Sequence, residues 1–97
     1  MLKHVVLVNF KAEVGQGERD AFAKKAAEIL AQVPGARNVA IGKASEVEGK
    51  ARYDAALFID FDSEAALKAY LEHPTHKAVL AQMPSMFSEF MISNYLC

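Results

Sequence analysis

The segment that decides the fold is Leu2–Phe10, which reads LKHVVLVNF. Its many Val and Leu residues are typical of a β-strand. Because side chains alternate between the two faces of a strand, Val6 and Val8 point one way and Val5 and Leu7 the other. Both faces are therefore apolar, whereas a strand with one face in water alternates more cleanly between polar and apolar residues. The sequence thus predicts a sheet that is covered on both sides.

Working outward from this strand, the hydrophobic period changes between helical and extended several times. After the first strand, the pattern predicts a helix over 18–33 and two strands over 38–45 and 53–61, which a polar loop at 46–52 connects. It then predicts two helices, over Glu64–Glu72 and 76–83, and a last strand over 90–96. Ser63 and Thr75 are predicted helix caps, and Pro74 separates the last two helices. The order is β-α-β-β-α-β, which predicts a ferredoxin-like α+β fold with a four-stranded antiparallel sheet and helices on one face.

Length and composition limit the classes of function. The 97 residues form one domain, 1–97, and 53% of them are hydrophobic. This apolar excess predicts a partner surface. The net charge is -1 with no basic stripe, so we expect no nucleic-acid partner. The longest strongly apolar run near the start, 5–8, is too short for a membrane span, and we expect a cytoplasmic protein. Cys97 is the single cysteine, so no disulfide framework is expected.

Groups able to transfer protons concentrate in residues 70–76, which read YLEHPTH. A neutral histidine such as His76 is a suitable base near pH 7, and the Tyr70 hydroxyl can donate a hydrogen bond to a developing oxyanion. Both residues also have purely structural interpretations, as a buried core tyrosine and as a helix-end histidine. The spacing of His73 and His76 would suit a metal, but Pro74 prevents both from lying on one helical face, so no metal site and no cofactor are predicted.

Three segments together carry a resemblance to a known family: 3–10 (KHVVLVNF), 53–57 (YDAAL) and 70–76 (YLEHPTH). They resemble the stress-responsive dimeric α+β barrel (Dabb) family over essentially the whole chain. The resemblance implies a homodimer in which two sheets face each other to form a barrel. Most members have no assigned activity, and a minority close linear polyketides by aldol chemistry. In those members residues matching Tyr70 and His76 carry the reaction, and a histidine matching His4 lies nearby.

Two functions remain open at this point. One is a cofactor-independent enzyme with catalytic Tyr70, His76 and His4 and a small-molecule pocket whose expected lining is Val6, Val8, Phe22, Leu57, Ile59 and Leu67. Small alanine side chains on the first helix would leave room for this pocket. The other is a non-catalytic dimeric module that binds a ligand or acts through its interface. The cofactor-free monooxygenases of the same barrel type receive little support, because the chain contains no Trp.

Overall fold

The computed structural model of the protein describes residues 1–49 and 52–97. Its elements, in chain order, are β1 (Leu2–Phe10), α1 (Gln16–Leu30), β2 (Arg37–Lys43), β3 (Ala55–Phe61), α2 (Glu64–Glu72), α3 (Pro74–Leu80), α4 (Met83–Met86) and β4 (Phe87–Leu96). The ferredoxin-like fold predicted from the sequence is confirmed. Part of the predicted loop 46–52, residues 50 and 51, lies outside the described residues.

The four strands form one antiparallel sheet in the order β2-β3-β1-β4. β1 is therefore central, and its alternate residues from Leu2 to Phe10 are buried beneath the helices. Val6 lies opposite Leu57 on one side and Ile92 on the other. Directly opposite residues share a face of the sheet, so all three lie on the helix side.

The other face of the sheet carries no helix within the described residues. Val5 lies opposite Phe58 there, and Leu7 lies opposite Met91. Phe58 is 38% exposed and Met91 49% exposed in the single chain. This outer face therefore presents apolar side chains at its centre, in agreement with the two-faced pattern of the first strand.

The boundaries of α2 are as predicted, and its cap is Ser63, whose hydroxyl accepts a hydrogen bond from the Ala66 N–H at 3.2 Å. The predicted cap of the next helix, Thr75, is wrong. That helix begins at Pro74, and its cap is the His73 side chain, whose Nδ1 accepts from the Thr75 N–H at 3.1 Å. Proline suits the first helical position because its missing N–H would have no helical partner there.

Other predicted bounds also differ: α1 begins and ends earlier than 18–33, β2 begins and ends earlier than 38–45, and β3 begins later than 53. β4 begins at Phe87 rather than at 90, because the polar pair Asn9 and Glu89 continues the regular ladder and a register shift after Asn9 pairs Phe10 with Phe87. Their side chains are hydrogen-bonded at 3.2 Å, so residues that resemble a loop in sequence lie in a strand. The single helix expected over 76–83 is divided into α3, which ends at Leu80, and the short α4.

The core consists of two clusters on the helix side of the sheet. The first contains Leu2, Leu30, Val33, Ile59, Phe61, Leu67 and Tyr70. The second contains Val6, Val8, Phe10, Val14 and Ala55. Leu57 packs against both clusters. None of the helices formed by residues 1–49 and 52–97 has the length and hydropathy that a membrane-spanning segment requires.

Candidate functional site

An apolar cavity of about 210 Å³ lies between the helices and the sheet, with walls from both core clusters. Its lining runs from Ile41 on β2 to Ile92 on β4, the two edge strands of the sheet. Three strand spacings separate these edges, a distance of about 14 Å. Alanines of α1, Ala23 and Ala26, line the roof, and their small side chains leave the space open.

Two histidines line this cavity. His4 comes from the central strand and His76 from α3, and both are buried, at 2% and 8% exposure. β1 places His4 on the helix side because its neighbours Leu2 and Val6 share that face. The His73 cap and Pro74 start α3 at the position that turns His76 inward. The structure thus brings together two histidines that are distant in sequence.

The hydrogen bonds at the two Nδ1 atoms define which nitrogen carries the hydrogen. His76 Nδ1 lies 3.3 Å from the Leu71 carbonyl oxygen, which can only accept, so this nitrogen is the donor. His4 Nδ1 lies 2.6 Å from Asn94 Oδ1 and donates to it in the same way. Within the described residues, neither Nε2 atom has a hydrogen-bond partner. Each neutral ring therefore keeps an unprotonated Nε2 that can accept a proton.

Burial holds both rings in the neutral form. Desolvation lowers the pKa of His76 below its ordinary value, the bond to the Leu71 carbonyl opposes this, and the nearby His4 lowers the pKa further. Burial also lowers the pKa of His4, against the opposing effect of its bond to Asn94.

Tyr70 packs against both histidines. Its ring centroid lies 4.5 Å from that of His76 and 5.8 Å from that of His4, and Phe61 lies on another side at 5.1 Å. Tyr70 is 1% exposed, and burial raises the pKa of its hydroxyl to about 12. The phenol is therefore a neutral donor at any ordinary pH, and no other described residue is hydrogen-bonded to this hydroxyl.

The residues predicted to line the pocket divide into two groups. Val6, Val8, Phe22 and Leu57 line the cavity. Ile59 and Leu67 are not among its lining residues and belong instead to the first core cluster. The predicted catalytic residue Tyr70 also belongs to that cluster and does not line the cavity. Tyr70 therefore contacts the rings of His4 and His76 but does not itself border the cavity.

Two other residues of the site could not be predicted from local sequence. Asn94 orients His4 from β4, and Ile92 forms part of the wall. Both depend on the register between β1 and β4, which places Asn94 directly opposite His4. Asn94 and Ile92 could have been identified from the sequence only by aligning the first strand with the last strand.

A metal has no evident site in residues 1–49 and 52–97, where no three His, Cys, Asp or Glu side chains come together in a suitable group. His73, which the sequence places near His76, uses Nδ1 to cap α3. The titratable side chains that line the cavity are the imidazoles of His4 and His76, and the Tyr70 phenol lies behind them.

Comparisons with known proteins agree with the fold. The olivetolic acid cyclase of Cannabis sativa is 23% identical over 95 residues, which cover 97% of this chain and 94% of that protein. A dimeric ferredoxin-like protein of unknown function from Thermobifida fusca superposes with a TM-score of 0.85, at 24% identity over 99% of this chain and 90% of that one. The hydroxynitrile lyase of Passiflora edulis superposes with a TM-score of 0.87, at 17% identity over 99% of this chain and 92% of the lyase.

The likeness to these solved structures concerns the fold. Family membership comes from the sequence, since the model of the Stress responsive A/B Barrel Domain matches residues 2–97. The match includes both cavity histidines and all four strands of the sheet. With its fold and this match together, the chain belongs to the Stress responsive A/B Barrel Domain (Dabb) family.

Proposed function

We propose that the protein binds a small apolar carbonyl compound in the cavity and catalyses a cofactor-independent proton transfer on it, of the cyclase or lyase type. The observation that carries this proposal is that His4 and His76 line one apolar cavity, each with a lowered pKa and with an Nε2 that has no hydrogen-bond partner among the described residues. Two proteins of similar sequence or fold are named as a cyclase and a lyase, which supports the same class of chemistry.

In the proposed reaction His76 is the base. Its Nε2 takes a proton from the carbon next to the carbonyl, the C–H electron pair moves toward the carbonyl oxygen, and an enolate and an imidazolium result. The Leu71 carbonyl, which accepts from Nδ1, holds the ring in the required tautomer. The enolate carbon then attacks a second carbonyl, whose alkoxide takes the proton from His76, or the carbon itself takes that proton and the ketone forms again.

The growing negative charge on oxygen needs a donor. We assign this role to the Tyr70 hydroxyl, which stays protonated because its pKa is about 12. Since Tyr70 does not line the cavity, the assignment requires its hydroxyl to reach the ligand between the two histidine rings. His4 lies beside Tyr70, and its bond to Asn94 fixes its orientation. We propose that His4 holds the Tyr70 ring and the bound carbonyl in place.

The test uses deuterium exchange next to the carbonyl of 2-nonanone, a simple apolar ketone, followed by NMR in D₂O near neutral pH. We expect the protein to accelerate exchange above an equal concentration of imidazole. We expect His76→Ala to lose about 100-fold or more of that acceleration, and Tyr70→Phe to lose a smaller part.

His73→Asn is the matched control, because it removes a histidine from the same segment while keeping a side chain that can cap α3. It should leave the exchange rate unchanged. Equal losses in His76→Ala and His73→Asn, or a wild-type rate no greater than that of imidazole, would overturn the proposal.

A second function is favoured by one observation: the proposed donor Tyr70 is not among the residues that line the cavity. A cavity without a donor suits a non-catalytic module that binds an apolar molecule. In the same experiment, ketone-induced shifts of cavity resonances without any faster exchange would favour this module.

For either function we propose a homodimer that forms through the outer faces of two sheets. The apolar centre of this face, with Val5, Leu7, Phe58 and Met91, supports the proposal. A protein of the same fold from Thermobifida fusca is described as dimeric.

A further inference from the structure

A second depression adjoins the cavity. It is a groove of about 500 Å³ between α1 and the β2–β3 edge of the sheet. Phe10, Ala23, Ile41 and Ala55 line both the groove and the cavity. Two of these four shared residues, Ala23 and Ala55, have small side chains, and the other two are Phe10 and Ile41. The groove and the cavity therefore share a wall.

The groove is charged where the cavity is apolar. Arg19, Lys24 and Lys43 contribute positive charges to its lining, and Asp20 and Asp54 contribute negative ones. The groove thus gives the cavity a polar end on the β2 side.

Four of these charges form two pairs. Lys43 Nζ lies 3.0 Å from Asp20 Oδ1, and an Arg19 guanidinium nitrogen lies 3.6 Å from Asp54 Oδ2. Arg19 also donates to the Val14 and Lys11 carbonyls, which hold it in place. Among the described residues Lys24 has no acidic partner within salt-bridge distance, so the groove carries one uncompensated positive charge.

We infer that the ligand of the cavity is amphipathic, with an apolar chain between the helices and the sheet and an anionic group in the groove beside Lys24. This inference rests on the proposed function, because it describes the molecule that the cavity binds. A carboxylate and a phosphate share the required chemistry.

The inside of the cavity excludes the anionic group. Its histidines are neutral, and within the described residues no Lys or Arg is among its lining. An anionic group placed there would lose its hydration without gaining a charged partner, which is strongly unfavourable. In the groove, the same group stays hydrated and lies next to a free ammonium.

The experiment measures by calorimetry the affinity of octanoate, octyl phosphate and octanol at pH 8 and low salt. We expect octanoate or octyl phosphate to bind about three- to fivefold more tightly than octanol, the size of one exposed ion pair. The tighter of the two anions identifies the anionic class. Added salt should reduce the advantage of the anion and leave octanol unaffected.

Lys24→Gln and Lys25→Gln form a matched pair. They make the same change at neighbouring positions of α1, but Lys25 lies outside both the groove and the cavity. We expect Lys24→Gln to remove the preference for the anion without weakening octanol, and Lys25→Gln to retain it. Equal binding of octanoate, octyl phosphate and octanol by the wild type would overturn this inference but not the proposed function. Equal effects of the two substitutions would do the same. Failure of all three ligands to bind would overturn the proposed function as well.

Discussion

His73 and His76 are near neighbours in sequence, yet their rings form opposite hydrogen bonds. His73 Nδ1 accepts from the Thr75 N–H, so its hydrogen lies on Nε2. His76 Nδ1 donates to the Leu71 carbonyl, so its hydrogen lies on Nδ1. The first arrangement fixes a helix end and the second leaves a base facing an apolar space. The two histidines therefore have different roles because their hydrogen-bond partners differ, although the residue type is the same.

The pH dependence of folding should report the buried histidines. Burial lowers the pKa of His4 and His76 in the folded state below the ordinary value of 6.5. The unfolded chain therefore binds more protons as the pH falls through 6.5, and the free energy of unfolding decreases. Each histidine contributes a slope of at most about 1.4 kcal/mol per pH unit. Urea unfolding between pH 8 and 5 measures this dependence.

The variant His76→Gln should show a shallower decrease over the same pH range, because it removes one of the two groups. His4→Gln should act similarly. A wild-type stability that is constant, or that rises, as the pH falls from 7 to 5 would contradict the assignment of both rings as neutral.

At the scale of elements, most of the secondary structure follows from local signals. The Ser63 cap and Pro74 are enough to place both ends of α2, and the Val and Leu content is enough to place β1. The start of α3 could not be predicted this way. Histidine is not among the usual N-cap residues, and here it caps only because the extended backbone of His73 brings Nδ1 to the Thr75 N–H.

The cap makes His73 a determinant of stability. We expect His73→Ala to lower the free energy of unfolding by about 1 kcal/mol, because the Thr75 N–H loses its acceptor. His73→Asn should recover most of this loss. Ser63→Ala, which removes the corresponding cap of α2, is the control for the size of the effect. Urea unfolding measures all three, and an His73→Ala variant as stable as the wild type would show that the bond contributes nothing.

At the scale of the whole molecule, the candidate site depends on long-range pairing. His4 is contributed by the first strand, Asn94 by the last and His76 by a helix between them. The sequence predicts which residues can do chemistry, but their convergence depends on the strand order and register. The exclusion of Ile59 and Leu67 from the cavity has the same origin, because they fill the first core cluster below it.

The outer face of the sheet supplies the last prediction. Phe58 lies at its apolar centre opposite Val5, and Phe90 lies on the helix face of the same sheet opposite Val8. Both are exposed phenylalanines, at 38% and 51%. If two sheets pack face to face, Phe58→Glu buries an unpaired charge in the interface, which costs far more than an exposed substitution does.

Sedimentation velocity at micromolar concentration should therefore give a dimer for the wild type and for Phe90→Glu, and a monomer for Phe58→Glu. The two variants carry the same charge change on opposite faces, so a general loss of solubility would affect both. A monomeric wild type, or a Phe58→Glu variant that remains dimeric while Phe90→Glu dissociates, would remove the outer face as the interface. The apolar residues of β1 that face away from the helices would then need another partner.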